Sequence, residues 1–175
     1  WKGFAGAPPE VTTYEKAAAS ADILVLAVKG TVAEDVIKAV APHASGKTII
    51  DATNPIGDAP PEKSVLKFFT TLDNSLMERL QKLAPQAHLV KAFSSVGNAL
   101  MVNPQLPGGP PSMFICGNND GAKKEVSAIL DAFGWATEDM GAAEAARAIE
   151  PLCMLWCIPG FSRNEWSHAF KLLRK

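Results

Sequence analysis

The strongest constraint on this chain is the regular return of short apolar runs between segments that begin like helices. Ile23-Leu24-Val25-Leu26-Ala27-Val28 is the first run, Lys47-Thr48-Ile49-Ile50-Asp51 the second and His88-Leu89-Val90-Lys91-Ala92-Phe93 the third. A strand that is apolar at nearly every position is buried on both faces, and helices between such strands supply the cover. The order therefore predicts a parallel α/β sheet. Ser or Thr followed three residues later by Glu marks the helix starts, at Thr12 with Glu15, Thr31 with Glu34 and Ser75 with Glu78. Beyond Phe93 the alternation continues with a strand at Ser112 to Cys116, a helix from Ala122 to Phe133 stopped by Gly134, and a short strand at Trp135 to Glu138.

After Gly141 the character changes. Ala142 to Ile149 reads as an alanine-rich helix, broken or kinked at Pro151 and resumed through Cys157, with Pro159-Gly160 turning the chain. Ser162 with Glu165 offers a fourth helix start, while Ala169 to Leu173 reads equally well as a closing strand. The expected division is a partial nucleotide-binding domain over residues 1–140 and a closing helical segment over 141–175. Sheets of this kind usually carry a G-x-G-x-x-G phosphate loop after their first strand, and that pattern is absent from these 175 residues. In the common strand order 3-2-1-4-5-6, Ile23 to Val28 lies beside the first strand. The expectation is therefore an N-terminally incomplete sheet, with at least one more βαβ unit before Trp1.

Composition narrows the partners. Lys and Arg number 17 against 18 Asp and Glu, so the net charge of −1 gives no reason to expect nucleic acid or an anionic membrane. No apolar run approaches the roughly 20 residues that span a bilayer, and the opening segment has no apolar core of a signal peptide. Three cysteines, Cys116, Cys153 and Cys157, suit a reducing cytoplasm. Cys153 and Cys157 stand one helical turn apart, but no second thiol pair accompanies them and His168 is the nearest further ligand. Buried structural thiols are the reading favoured over a metal or redox site, so no metal is expected.

Ligands of open parallel sheets sit at the carboxyl ends of the strands. The first end is Val28-Lys29-Gly30-Thr31, where a glycine permits close backbone approach and the next helix presents unpaired N–H groups. At the second end, Asn54-Pro55 forms a stiff polar turn that offers an amide. The third end is Ala92-Phe93-Ser94, where Phe93 either stacks on a planar ring or fills the core. Of the two long loops, Gly57 to Thr71 and Asn103 to Pro111, the first is favoured as a site wall. Asp51 lies inside its strand and reads as structural. The strand ends are poor in His, Asp and Glu, which argues against a hydrolase triad or carboxylate pair, and no catalytic side chain is assigned.

Six segments in register resemble the coenzyme F420-dependent NADP oxidoreductase family, which includes the cytosolic domain of the STEAP metalloreductases. They are Leu-Ala-Val-Lys-Gly (26–30), Asp-Ala-Thr-Asn-Pro-Ile-Gly (51–57), Val-Lys-Ala-Phe-Ser (90–94), Met-Phe-Ile-Cys-Gly-Asn (113–118), Ala-Arg-Ala-Ile-Glu-Pro-Leu (146–152) and Ala-Phe-Lys-Leu-Leu-Arg (169–174). The resemblance implies a Rossmann-type three-layer sheet with a small C-terminal helical segment. It implies a cytoplasmic oxidoreductase moving hydride between NADP(H), or NAD, and F420 or a flavin as the small-molecule redox partner. It puts Val28, Lys29, Gly30 and Thr31 on the ribose and phosphate side of the cofactor, Asn54 and Pro55 on the nicotinamide side, and Ala92, Phe93 and Ser94 at the same end. Ser94 stands where family members commonly carry Asn. The rival reading is a non-catalytic binding or assembly module. The apolar stretch Leu152 to Phe161 is more than a monomer usually exposes, which leaves a homodimer open beside core packing.

Overall fold

The computed structural model describes residues 9–175. The opening segment over residues 1–8 lies outside them. Five strands and five α-helices follow one another as α1 (Tyr14–Ser20), β1 (Ile23–Leu26), α2 (Gly30–Val40), β2 (Thr48–Asp51), α3 (Leu76–Leu83), β3 (His88–Lys91), β4 (Ser112–Ile115), α4 (Asp120–Ala132), β5 (Ala136–Asp139) and α5 (Ala146–Arg163). β1, β2 and β3 form a parallel sheet in that order, and β4 pairs in parallel with β5. One bridge, with the Lys91 N–H donating to the Cys116 carbonyl at 3.0 Å, connects β3 to the end of β4. Among the described residues β1 is the outer strand of the three, and its Val25 is exposed.

Alternation along the strands sorts the core into two layers. Ile49 and Leu89 face a cluster with Ala33 and Ile37 of α2, Leu80 of α3 and Ile149 of α5. Their neighbours Ile50 and Val90 face the opposite cluster, with Val126 and Leu130 of α4, Met113, Ile115 and Trp135. Side chains two apart share a face, so one continuous apolar run supplies both layers. This is the three-layer α/β architecture that the apolar runs predict.

The helix starts diverge from expectation at two of three places. Ser75 and Glu78 form the full reciprocal capping box of α3. At α1 the cap is Thr13, whose hydroxyl accepts from the Lys16 N–H, and not Thr12. α2 begins at Gly30 with Lys29 as a cap that offers no side-chain acceptor, so Thr31 falls inside the first turn and no box forms. Glu34 instead faces Arg79 across to α3 at 3.8 Å.

The C-terminal segment also differs. α5 runs unbroken for 18 residues through both Pro151 and Pro159. Each proline removes a backbone bond and crowds the preceding turn, at about 3 kcal/mol. Burial of Glu150, Cys153 and Trp156 along the helix holds it continuous, since tertiary packing supplies most helical stability. Ser162 donates to the Ile158 carbonyl within the last turn, so it caps nothing. Residues 164–175 form neither a regular helix nor a strand. They run beside the start of β4, with the Ser112 N–H donating to the Phe170 carbonyl at 2.9 Å and the Leu172 N–H to the Ser112 hydroxyl at 3.0 Å. Leu155 and Phe161 are exposed on α5.

Arg147 of α5 meets α3 through Glu78, its Nε donating to Oε2 at 3.0 Å and its Nη2 to Oε1 at 2.6 Å. Hydrogen bonding by Arg147, added to that from Ser75, outweighs partial burial and holds the Glu78 carboxyl down at about 2. A depressed carboxylate contributes stability above its unfolded value of roughly 4.3 and loses it as pH falls toward the folded value. Glu78→Gln is therefore expected to flatten the dependence of stability on pH between 4.5 and 2. At neutral pH it should cost about 1 kcal/mol, discounted because Arg147 is 40% exposed. Urea midpoints across that pH range measure both effects.

Candidate functional site

A cleft of about 380 Å³ opens at the carboxyl ends of β1 and β2, lined by Val28, Lys29, Gly30, Ala52, Asn54, Ile56, Gly57 and Asp58. Its floor is set by one close approach. A Cβ built on Gly30 would stand 2.1 Å from the Asn54 carbonyl oxygen and 3.2 Å from the Pro55 Cα. Only a residue without a side chain lets the first turn of α2 rest on the backbone that follows β2. The glycine predicted to permit close backbone approach admits the protein's own backbone and also lines the cleft.

Asn54 is fixed by Ser94. Its amide nitrogen donates to the Ser94 carbonyl at 2.9 Å, and its amide oxygen accepts from the Ser94 hydroxyl at 2.8 Å. The carbonyl can only accept, which settles the orientation of the amide. A hydroxyl has one proton, so the Ile149 carbonyl at 3.4 Å from the same oxygen is the weaker contact. Ser94 thus ties the β3 end to the β2 end.

The predicted residues divide by position. Val28, Lys29, Gly30 and Asn54 line the cleft, and Thr31 lines the adjoining hollow with Glu34, Asp58, Phe69 and Arg79. Pro55, Ala92, Phe93 and Ser94 are buried behind it. Phe93 takes a left-handed backbone with φ 59°, its N–H donates to the Met113 sulfur at 3.1 Å, and its ring packs 6.3 Å from Phe133. Such a conformation is costly for a bulky residue and leaves no sequence signal. The Gly57 to Thr71 loop supplies Gly57 and Asp58 to the wall. It is anchored by the Gly57 N–H on the Lys67 carbonyl at 2.8 Å and the Phe69 N–H on the Pro55 carbonyl at 3.0 Å. The Asn103 to Pro111 loop lies elsewhere, held by Lys171 donating to the Gly108 and Pro110 carbonyls.

Sequence reasoning missed the group beneath the cleft. Lys91 is fully buried, with its ammonium 2.7 Å from Asp51 Oδ2 and 3.1 Å from Glu150 Oε1, and it donates to the Thr53 carbonyl at 2.9 Å. Asp51 Oδ2 makes no contact of hydrogen-bond geometry, so its attraction to Lys91 is that of an ion pair. Burial alone would pull the lysine pKa down. The fields of Asp51 and Glu150, both in close contact with the ammonium, outweigh it, and the group titrates above the ordinary lysine range. Burial pushes the neighbouring Cys116 thiol up to about 12, so it is an inert neutral thiol at physiological pH. Cys153 is likewise held protonated, by its hydrogen bond with Cys157 and by burial. His168 is engaged with Trp156 through the Trp156 carbonyl at 3.0 Å. Among the described residues no three His, Cys, Asp or Glu side chains converge on a metal position.

A parallel sheet with helices on both faces and a cleft at its strand ends is a Rossmann-type architecture. Residues 4–55 match the family model described as NADP oxidoreductase, coenzyme F420-dependent. Metalloreductase STEAP3 of Rattus norvegicus is 32% identical over 155 residues, which are 86% of this chain and 29% of that protein. The chain thus spans under a third of that relative. The structure of a candidate F420-dependent NADP-reductase from Arthrobacter sp. fb24 superposes with a TM-score of 0.87 at 28% identity, covering 93% of this chain and 74% of that one. Hypothetical protein SMa0349 from Sinorhizobium meliloti follows at 0.61 and 27%, covering 75% and 62%. The family model, the STEAP3 relative and the Arthrobacter structure together support assignment to the coenzyme F420-dependent NADP oxidoreductase family.

Proposed function

We propose that this chain holds the nicotinamide side of an NADP(H) site and positions it for hydride transfer to F420 or a flavin. The observation that carries the reading is the cleft itself. The Asn54–Ser94 lock fixes its inner end, while the start of α2 carries no side-chain cap on its first-turn N–H groups. Uncapped amides and the positive end of the helix dipole suit a phosphate oxygen. Val28, Ala52 and Ile56 give an apolar wall suited to a flat ring, and Lys29 adds a cation at the rim. The donor set fits a dinucleotide.

Bound NADPH would supply the hydride chemistry. The chain's own residues bind, orient and exclude water, and hydride transfer between two carriers demands no more of them. Asn54 uses its amide oxygen and one N–H on Ser94, leaving one N–H for the cofactor. No general acid or base is assigned, and the family's small-molecule redox partner is expected in place of a macromolecular substrate. No helix among the described residues is long and apolar enough to cross a membrane.

Asn54→Ala tests the reading. Turnover of NADPH with F420 or FMN should fall about tenfold, the loss of one oriented contact of about 1.4 kcal/mol, with melting changed by no more than a few degrees. NADPH binding followed by fluorescence gives the second measure. Wild-type protein that binds no NADPH would favour the assembly-module reading, and unchanged kinetics in a folded Asn54→Ala variant would remove this residue from the site.

A further inference from the structure

The Lys91 ammonium donates to the Thr53 carbonyl and lies in ion-pair contact with both Asp51 and Glu150. Each partner is committed elsewhere. Asp51 Oδ1 accepts from the Thr53 N–H at 2.9 Å and the Thr53 hydroxyl at 2.6 Å. Glu150 accepts from the first two N–H groups of α3, Met77 on Oε1 at 2.9 Å and Leu76 on Oε2 at 3.0 Å. One ammonium thus joins the ends of β2 and β3 to the start of α3 and the second turn of α5. Thr53, gripped at its N–H, hydroxyl and carbonyl, immediately precedes the Asn54 that lines the cleft.

Buried ion groups are poor stabilisers, because desolvation of the charges offsets their attraction and apolar replacements are often as stable. Stability therefore does not account for three charges at this point. What charges supply that apolar side chains do not is direction. Lys91 and Asp51 both aim at Thr53.

We propose that Lys91 is the positioning residue of the cleft, setting the Thr53-Asn54-Pro55 turn through the Thr53 carbonyl and Asp51, and registering α3 and α5 to that turn through Glu150. The proposal rests on the NADP(H) reading for its kinetic consequence, but its structural consequence does not. Lys91 acts through Thr53 and Asn54 and does not touch the cleft surface.

The test replaces all three charges at once with neutral groups of similar shape, Asp51→Asn, Lys91→Met and Glu150→Gln, in the intact gene product. The triple variant should fold and melt within a few degrees of wild type. Amide hydrogen exchange at residues 53–57 should nevertheless rise at least tenfold, while the β2 interior stays protected. NADPH oxidation with FMN or F420 should lose at least tenfold in kcat, with KM for NADPH changed less than threefold. A folded triple variant with wild-type exchange at 53–57 overturns the proposal. So does wild-type kcat in that variant. If the triple variant does not fold, Glu150→Gln alone decides, because it keeps the Asp51–Lys91 pair. Exchange at 53–57 and kcat should then each change about threefold, and no change in either overturns the proposal. Wild-type protein that binds no NADPH sinks the functional reading, and the exchange comparison still decides the role of Lys91.

Discussion

Gly30→Ala is expected to separate α2 from the end of β2 and to abolish tight NADPH binding. The added carbon would meet the Asn54 carbonyl oxygen at 2.1 Å and its carbonyl carbon at 3.0 Å. Both belong to backbone that Ser94, Asp51 and Lys91 hold in place, so the helix must give way. Replacing glycine by alanine favours a helix by up to about 1 kcal/mol. Overpacking into a fixed wall typically costs about 1 to 3 kcal/mol, occasionally more. The clash wins, with a net loss of about 2 kcal/mol expected in urea unfolding. NADPH affinity should fall more than tenfold, because the wall moved is the one carrying Lys29 and the α2 amides. Val32→Ala is the control, since that side chain is exposed on the same turn and lines neither the cleft nor the adjoining hollow. Unaltered NADPH binding in Gly30→Ala would mean that the cleft at α2 is not the cofactor site.

The architecture was legible because it depends on short-range pattern. Ile49 and Ile50 are neighbours that face opposite layers, and a run of such residues leaves a strand between two helical covers as the simplest arrangement. The Ser75–Glu78 box was legible for the same reason, since its two partners lie three residues apart. The cleft was legible in part. Val28, Lys29, Gly30 and Asn54 line it, as strand-end reasoning expected, and Gly57 and Asp58 come from the loop favoured as a wall, whereas Ala52 and Ile56 carry no signal beyond their place after β2.

What sequence did not show is set by long-range partners or by backbone conformation. Lys91 and Glu150 are 59 residues apart and each looks like an ordinary surface residue in sequence, yet both are buried against each other. Asp51 read as structural, but its partner could not be named. Phe93 left two roles open, and its left-handed backbone with the ring beside Phe133 was beyond any pattern. Pro151 misled for a physical reason. The cost of a proline inside a helix is real, and buried neighbours on both sides of it outweigh that cost.

Trp156→Ala is expected to cost about 3 to 5 kcal/mol, the usual range for truncating a buried aromatic, and to release the C-terminal tail. Trp156 is 7% exposed, and its ring lies stacked on His168 with centroids 4.9 Å apart and planes 28° from parallel. Two hydrogen bonds cross between the pair, the Trp156 indole donating to the His168 carbonyl at 2.9 Å and the His168 ring meeting the Trp156 carbonyl at 3.0 Å. Trp166 packs on the same indole at 5.7 Å and Phe161 stands edge-on to Trp166 at 5.2 Å. The indole is therefore the support on α5 that Trp166 and His168 have in common, with Phe161 and Gly160 of the same helix packing on Trp166 as well. Its far edge also closes on Gly97, where a Cβ would stand 2.9 Å away. That loop follows Ser94, so loss of the indole should reach the Asn54 lock only after the tail has loosened. Thermal melting should fall first, limited proteolysis should open residues 164–175, and hydride transfer should weaken least. The converse order, lost turnover with wild-type melting and a protected tail, would mean that the indole serves the redox site directly.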